Sequence, residues 1–79
     1  MTSPIDFALR GEYITLDALL KASGLAESGG TAKVLIADGG VRVDGQVETR
    51  RGRKLRGGEV VQVGPDRVKV RMPPAAAKL

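Results

Sequence analysis

The spacing of apolar residues changes at Gly39 and Gly40, and this change limits the folds open to the chain. Before the two glycines, apolar residues recur mainly three and four positions apart, which predicts helices. After them, apolar and polar residues alternate, which predicts half-buried strands. A chain of 79 residues can form only one thin core. We therefore predict an α+β fold in which a helical hairpin packs on a small, mostly antiparallel twisted sheet.

The helical part divides into two short helices. Thr15 is predicted to cap the first helix and Gly24 to end it, while Ser28 is predicted to cap the second. Because few residues separate them, the two helices should form a helical hairpin. Val34 lies off the apolar face of the second helix and is expected to cover an edge of the core. The predicted apolar faces consist of Leu16, Leu19 and Leu20, and of Ala32, Leu35 and Ile36.

Strand signals occur on both sides of the helices. Large apolar residues occupy every second position from Ile5 to Leu9, before Gly11, and the same alternation recurs in "RVKVRM", up to Met72. Between "VRV" and "QVE" lies Asp44-Gly45, a pair that favours a type I′ hairpin turn. One domain is predicted over residues 1–72, and residues 73–79 are expected to fray.

Positive charge is concentrated in one short stretch, residues 50–56, which we call the basic run. The chain has 13 basic and 9 acidic residues, so it carries a net charge of +4. Without the five cations of the basic run, the other residues carry a net charge of −1, which indicates a polyanionic partner. We predict a loop here, anchored in the core by Leu55. Its cations are Arg50, Arg51, Arg53, Lys54 and Arg56.

Several functional classes are excluded by composition. The chain has no cysteine and no histidine, so it lacks thiolate ligands and the commonest general base. No carboxylate lies in a pattern that suggests a shifted pKa, although Glu12, Glu48 and Glu59 could pair with nearby cations. "SGGTAK" lacks the Lys-Ser/Thr pair of a nucleotide-binding loop and fits a Ser28 cap better. We expect no catalysis, cofactor, metal ion or small-molecule substrate.

A membrane location is not expected either. The longest helical apolar run, "VLIA", is too short to span a bilayer, and neither helix has the basic amphipathic character of a membrane-surface helix. The N-terminal residues do not form a secretory signal. We therefore expect a cytoplasmic protein.

Structured RNA is the predicted partner of the basic run. The run lies between strand signals and is rich in arginine, whose planar guanidinium suits phosphate oxygens. Gly52, Gly57 and Gly58 are expected to let a ligand approach the backbone closely. Phe7 and Tyr13 are the only aromatic residues, too few for successive base stacking, which favours recognition of RNA shape and backbone.

Two alternatives remain open for the basic run. A protein-interaction or regulatory module could dock on an acidic partner through the same charges. Binding to duplex DNA ranks lower, because the second helix offers little beyond Thr31 and Lys33 for reading bases.

The order of motifs resembles that of the S4 RNA-binding domain, or alpha-L motif. "LDALLKASGL", "SGGTAKVLIADGGVRVDGQVE" and "RRGRKLRGGEVV" carry this resemblance over about residues 15–63, and they are most similar to the small stand-alone bacterial YbcJ-like group. The resemblance implies binding of structured RNA, such as ribosomal RNA or tRNA. It places the RNA-facing surface at the start of the second helix and the loops that follow. We expect a monomer.

The resemblance also implies a set of RNA-binding residues and shows one departure from the family pattern. Gly29 follows Ser28 where the wider family often has arginine, and Lys33 and the cations of the basic run are expected to compensate. The implied RNA-binding residues are Lys21, Ser28, Thr31, Lys33, Arg50, Arg51, Arg53, Lys54 and Arg56.

Overall fold

A computed structural model describes residues 4–72 and has the predicted α+β architecture. The predicted extent of the domain, residues 1–72, stays a prediction, and the expected frayed tail at residues 73–79 lies outside the described residues. The elements in chain order are β1 (Ile5–Ala8), β2 (Ile14–Thr15), α1 (Leu16–Ala22), α2 (Gly29–Ala37), β3 (Val41–Val43), β4 (Gln46–Val47), β5 (Lys54–Leu55), β6 (Val60–Val63) and β7 (Asp66–Arg71).

The main sheet has five strands in the order β1-β7-β6-β3-β4. Three of its four pairings are antiparallel, which confirms a mostly antiparallel sheet, but β1 pairs with β7 in parallel. A second sheet consists of β2 and β5 alone, with Ile14 opposite Leu55 and Thr15 opposite Lys54. The parallel pair and the second sheet join segments far apart in sequence, so local patterns did not indicate them.

The predicted Asp44-Gly45 turn is confirmed. Both residues have positive φ, 52° and 85°, as a type I′ turn requires, and they connect β3 to β4. Asp44 also holds β6 in place. Its N–H donates to the Val60 carbonyl at 2.8 Å, and its Oδ1 accepts from the Val60 N–H at 3.0 Å.

The two helices begin in different ways. The Ser28 Oγ accepts a hydrogen bond from the Thr31 N–H at 3.2 Å, so the predicted cap of α2 is confirmed. Thr15 occupies the N-cap position of α1, but its side chain makes no capping hydrogen bond, so that part of the prediction was wrong. Backbone carbonyls of the basic run take over this role, as described below.

The core lies between the helices and the inner face of the main sheet. Val34 is 58% exposed, so it does not cover the core as predicted, and Met72, at the end of the predicted alternation, is 67% exposed. Val34 lies off the buried face of α2, and Met72 follows the last residue of β7. The buried apolar residues are Leu9, Leu16, Leu19, Leu20, Ala26, Ala32, Ile36, Val41, Val43, Leu55, Val61, Val68 and Val70.

Gly57 fills a place in the turn after the basic run that no larger residue fits. Its φ is +119°, and a Cβ built on it would lie 2.5 Å from Met72 Cγ and 3.3 Å from Met72 N. The glycines of this turn were expected to let a ligand approach the backbone. For Gly57, the structure gives another reason for glycine at this position, namely its positive φ and its close packing against Met72.

Gly57→Ala should lower the free energy of unfolding by about 1–3 kcal/mol, because the new methyl group meets backbone as well as side-chain atoms. Gly52→Ala is the matched control: nothing lies within 4 Å of its Cβ position, so the change should stay within about 0.5 kcal/mol. Urea unfolding followed by circular dichroism measures both. Equal effects of the two substitutions would contradict this account.

Candidate nucleic-acid interface

The backbone of the basic run is fixed against the start of α1. The N–H of Leu16 donates to the Arg53 carbonyl at 2.9 Å, and the N–H of Asp17 donates to the Arg51 carbonyl at 3.1 Å. The first N–H groups of a helix have no partner inside the helix, so these carbonyls satisfy groups that a side-chain cap would otherwise serve. The basic run and the start of α1 therefore form one unit.

The end of the basic run is part of a strand, not of a loop. Lys54 and Leu55 form β5 and pair with β2, and Leu55 is fully buried. The prediction that Leu55 anchors the basic run is therefore confirmed. The prediction of a loop across residues 50–56 was wrong at Lys54 and Leu55, because a two-residue strand is too short to show a period of two.

Glu48 holds the cations at the beginning of the basic run. Its Oε2 accepts from the Arg50 N–H at 3.0 Å and from Arg50 Nε at 3.1 Å, and its Oε1 accepts from an Arg53 terminal nitrogen at 3.0 Å. The carboxylate is almost buried, with 9% of the side chain exposed. It therefore lies inside the positive cluster and is fully engaged there.

These contacts shift the pKa of Glu48. Hydrogen bonds from the Arg50 side chain lower it most, those from the Arg50 backbone and from Arg53 add to the effect, and burial opposes them. The pKa falls from an ordinary 4.5 to about 2. The expectation that no carboxylate has a shifted pKa was therefore wrong for Glu48, because its residue spacing looks unremarkable until the chain turns back on itself.

The five cations of the basic run fall into two classes. Arg50 and Arg53 share Glu48, although 76% of the Arg50 side chain and 33% of the Arg53 side chain stay exposed. Within residues 4–72, Arg51, Lys54 and Arg56 form no ion pair, and all three are exposed. These three carry positive charge that no carboxylate within the described residues neutralises.

Glu59 fixes the backbone at the other end of the basic run. Its two carboxylate oxygens accept from the Arg56 N–H at 2.9 Å and the Gly57 N–H at 2.8 Å. The carboxylate thus bonds to the backbone, and the Arg56 side chain is left without a carboxylate partner among the described residues.

Tyr13 is an exposed aromatic residue beside the basic run. The Lys54 Nζ lies 5.0 Å and the Arg56 Cζ lies 5.6 Å from its ring centroid, distances typical of cation–π contacts. The ring is 44% exposed. Because Ile14 lies opposite Leu55, the residue before it comes to lie beside Arg56, a relation that only the strand pairing reveals.

The predicted site residues outside the basic run gather at the start of α2. Ser28 Oγ and Thr31 Oγ1 lie 3.2 Å apart, and both residues are exposed. Lys21, in the last turn of α1, lies close to Gly29 at the start of α2. A Cβ built on Gly29 would be 3.8 Å from Lys21 Cδ. Lys33 is exposed and follows Gly29 by four residues, which places both on the same side of α2.

The predicted residues thus form two groups at opposite ends of α1. The basic run bonds to its beginning, and Lys21 in its last turn borders the start of α2. A helix of seven residues is about 10 Å long, so the groups are about that far apart. Among the described residues, no hydrogen bond or ion pair joins the two groups directly.

The described part of the chain offers little for other kinds of chemistry. No group of three or more acidic side chains within residues 4–72 is placed to hold a metal ion. No helix in the same residues has the length and apolar character needed to cross a bilayer. What the two groups provide is positive charge and hydrogen-bond donors on a fixed backbone.

Comparison with known proteins identifies related sequences. Residues 7–71 match the family model of the S4 domain. "Putative RNA-binding protein YbcJ" of Escherichia coli strain K12 is 45% identical over 58 residues, covering 73% of this chain and 83% of that protein. "Probable ribosome maturation protein RlbA" of Bacillus subtilis strain 168 is 40% identical over 63 residues, covering 80% of this chain and 86% of that protein.

A solved structure shows the same architecture. The solution structure of YbcJ from E. coli, described as having an alpha-L motif involved in RNA binding, matches with a TM-score of 0.69 and 40% identity. The match covers 90% of this chain and 91% of that chain. These similarities confirm the α+β fold class and the family resemblance that the sequence indicated.

Glu48→Gln should make the free energy of unfolding less dependent on pH. Because the pKa of Glu48 is lower in the folded state, its stabilisation is complete above pH 4.5 and is lost as the pH falls towards 2. The variant lacks that contribution and should be about 1–3 kcal/mol less stable at pH 7. Urea unfolding from pH 7 to pH 2 measures both effects.

The control for this prediction is Asp6→Asn, which removes a carboxylate that is 59% exposed and pairs with Arg71. An exposed pair contributes about 1 kcal/mol or less, so this variant should keep most of the wild-type loss of stability on acidification. If Glu48→Gln has the same pH dependence as the wild type, the role assigned to Glu48 is wrong.

Proposed function

This chain belongs to the S4 domain family, and from that premise we propose that it binds structured RNA without catalysing a reaction. The observation that carries the proposal is the fixed backbone of the basic run, which presents Arg51, Lys54 and Arg56 without carboxylate partners among the described residues. The names of the YbcJ and RlbA relatives, one RNA-binding and one concerned with ribosome maturation, point in the same direction.

A fixed basic run suits phosphate binding for an energetic reason. A flexible loop loses conformational freedom when it binds, and that loss reduces affinity. Here the carbonyls of Arg51 and Arg53 are already held by α1, and Leu55 is already buried. The cations can therefore contact phosphates without first ordering the backbone.

The two arginines on Glu48 also take part in this proposal. A guanidinium has five N–H donors, and Arg53 uses one nitrogen for Glu48. Its remaining donors, and the exposed part of Arg50, can reach phosphate oxygens. Glu48 would orient the guanidinium planes while leaving them available.

The start of α2 supplies the second contact with the same RNA. Ser28 and Thr31 offer hydroxyl groups, and Lys21 and Lys33 offer positive charge where Gly29 replaces the arginine often found in the family. The separation of about 10 Å lets both groups reach nearby phosphates of one RNA backbone. Lys21 and Lys33 thus compensate for the departure at Gly29.

Recognition would depend mainly on the shape and backbone of the RNA. Tyr13 is the one exposed aromatic side chain among residues 4–72, so there is no series of rings for stacking successive bases. Folded RNA of the ribosomal or tRNA kind fits this surface, and the RlbA relative favours ribosomal RNA. We further propose that residues 1–72 act as a monomeric domain in the cytoplasm.

Arg51→Gln should weaken binding to a labelled ribosomal RNA hairpin about five- to tenfold in low salt, because it removes one unpaired phosphate-binding cation. The slope of log affinity against log salt should fall by about 0.7–0.9. Arg10→Gln is the matched control, since Arg10 is an exposed arginine outside both groups and forms no ion pair within residues 4–72. The affinity of the Arg10→Gln variant for the same hairpin should change less than twofold.

A triple variant tests the assignment more severely. Arg51→Gln, Lys54→Gln and Arg56→Gln together remove the unpaired charge but leave the Glu48 contacts intact, so circular dichroism should stay native. Affinity for the hairpin should fall at least a hundredfold. Retained RNA affinity in the folded variant would overturn the proposal. Stronger competition by B-form DNA than by folded RNA would instead favour a duplex DNA binder.

A further inference from the structure

The face of the main sheet that points away from the helices is strongly basic. Side chains alternate across a sheet, and Val61, Val68 and Val70 on the inner face are fully buried. The alternating positions of the same strands face outward and form what we call the outer sheet face. Its cations are Arg42 on β3 and Arg67, Lys69 and Arg71 on β7.

Strand register brings these cations together. Arg42 lies opposite Gln62, and Gln62 lies opposite Arg67, so these residues form one row across three strands. In the next row, Val60 lies opposite Lys69, and Lys69 lies opposite Asp6. Neighbouring strands are about 4.8 Å apart, which keeps the positive charges within a small area.

Little negative charge balances the outer sheet face. Asp6 lies on one of its rows and bonds Arg71 Nε at 2.9 Å, and Asp44, at the other end of that row, uses its Oδ1 to accept from the Val60 N–H. Arg42, Arg67 and Lys69 form no ion pair within the part of the chain that the structure describes. Such a concentration of like charge is unfavourable in isolation and is relieved by an anionic ligand.

A shallow groove runs through this basic area. Its volume is about 370 Å³, and Val60 and Pro4 are apolar parts of its wall. The charged side chains around it are Arg67, Lys69, Arg71 and the Asp6 carboxylate, which is paired with Arg71. Apolar wall and charged side chains together match a sugar-phosphate backbone, which has both a ribose and a phosphate.

The outer sheet face and the basic run lie on different sides of the main sheet. The basic run bonds to α1, and the buried leucines of α1 share the core with the inward-facing valines of the sheet. The cations of the outer sheet face point the opposite way, although Lys69 and Arg71 line a groove at its edge together with Gly57 and Gly58. One RNA segment bound along the basic run leaves the part of this face around Arg42 and Arg67 free for another segment.

We propose that the outer sheet face is a second RNA-binding surface, so that the protein bridges two RNA segments. The inference rests on the proposed function of the basic run. RNA phosphates are favoured over an acidic protein because three of the four cations are arginines, whose planar donors fit phosphate oxygens. A membrane surface is disfavoured because the groove has no aromatic side chain to insert.

The test is an RNA-bridging assay. One biotinylated ribosomal RNA hairpin is immobilised and loaded with protein, and capture of a second, fluorescent hairpin is measured. The sheet variant carries Arg42→Gln, Arg67→Gln and Lys69→Gln and leaves the Arg71–Asp6 pair intact. In this variant, capture of the second hairpin should fall by a factor at least ten times larger than the fall in affinity for the first hairpin. The slope of log capture against log salt should fall by about 2–3.

The matched comparison is the triple variant of the basic run, which also loses three positive charges. Unlike the sheet variant, it should bind the first hairpin only weakly, through the outer sheet face, and it should therefore also fail to capture a second hairpin. Circular dichroism and urea unfolding check that the sheet variant is folded. Arg67→Gln alone, which changes one exposed residue, should give an intermediate loss of capture if the triple substitution impairs folding.

The outcomes are distinguishable. If the wild type binds one hairpin but captures no second, the bridging proposal is overturned and the proposed function stands. Undiminished capture by the folded sheet variant also overturns it, and would mean that bridging arises from paired protein molecules. Polyglutamate and RNA of equal charge are compared as competitors for the second hairpin. If both displace it equally, the face binds an acidic protein and the RNA assignment is wrong. Failure to bind any hairpin overturns both proposals.

Discussion

Two backbone hydrogen bonds, from the first N–H groups of α1 to the carbonyls of Arg51 and Arg53, determine how this domain is organised. A seven-residue helix is too short to be stable by itself, so it needs both its packing face and a partner for its first turn. The chain supplies that partner from the segment in which its positive charge is most concentrated. Helix formation and the positioning of the basic run are therefore coupled.

Glu48 explains how so many cations can lie together without opening the fold. A buried carboxylate alone would be unfavourable, but here the N–H groups of two arginines satisfy its oxygens. The contacts restrict where Arg50 and Arg53 can point and leave much of Arg50 exposed. Stability and a surface suited to polyanions thus come from the same ion pairs, so mutating those two arginines would confound a loss of binding with a loss of folding.

Sequence patterns identified the parts of this fold whose causes are local. The Ser28 cap, the Asp44-Gly45 turn and the buried face of α2 each depend on residues within a few positions of one another. The position of Leu55 as an anchor was also predictable, since it is the one large apolar residue among many charges.

The parts that sequence patterns missed depend on distant pairings. The β2–β5 sheet, the place of Tyr13 beside Arg56 and the bonds that replace the Thr15 cap all require residues about 40 positions apart to meet. The contacts of Glu48 are nearer in sequence, but they depend on the path of an irregular turn. For the candidate site, residue types were therefore predictable, whereas the division of cations into paired and unpaired ones was not.

The parallel pairing of β1 with β7 has a mechanical consequence. Ile5 begins one strand and Arg71 ends the other, so these two residues lie at opposite ends of the pair. Tension applied between them would load all the bonds of this ladder at once, in shear, whereas tension on the open end of a hairpin breaks them one after another. The edge strand β1 is thus also positioned to resist pulling forces along the chain.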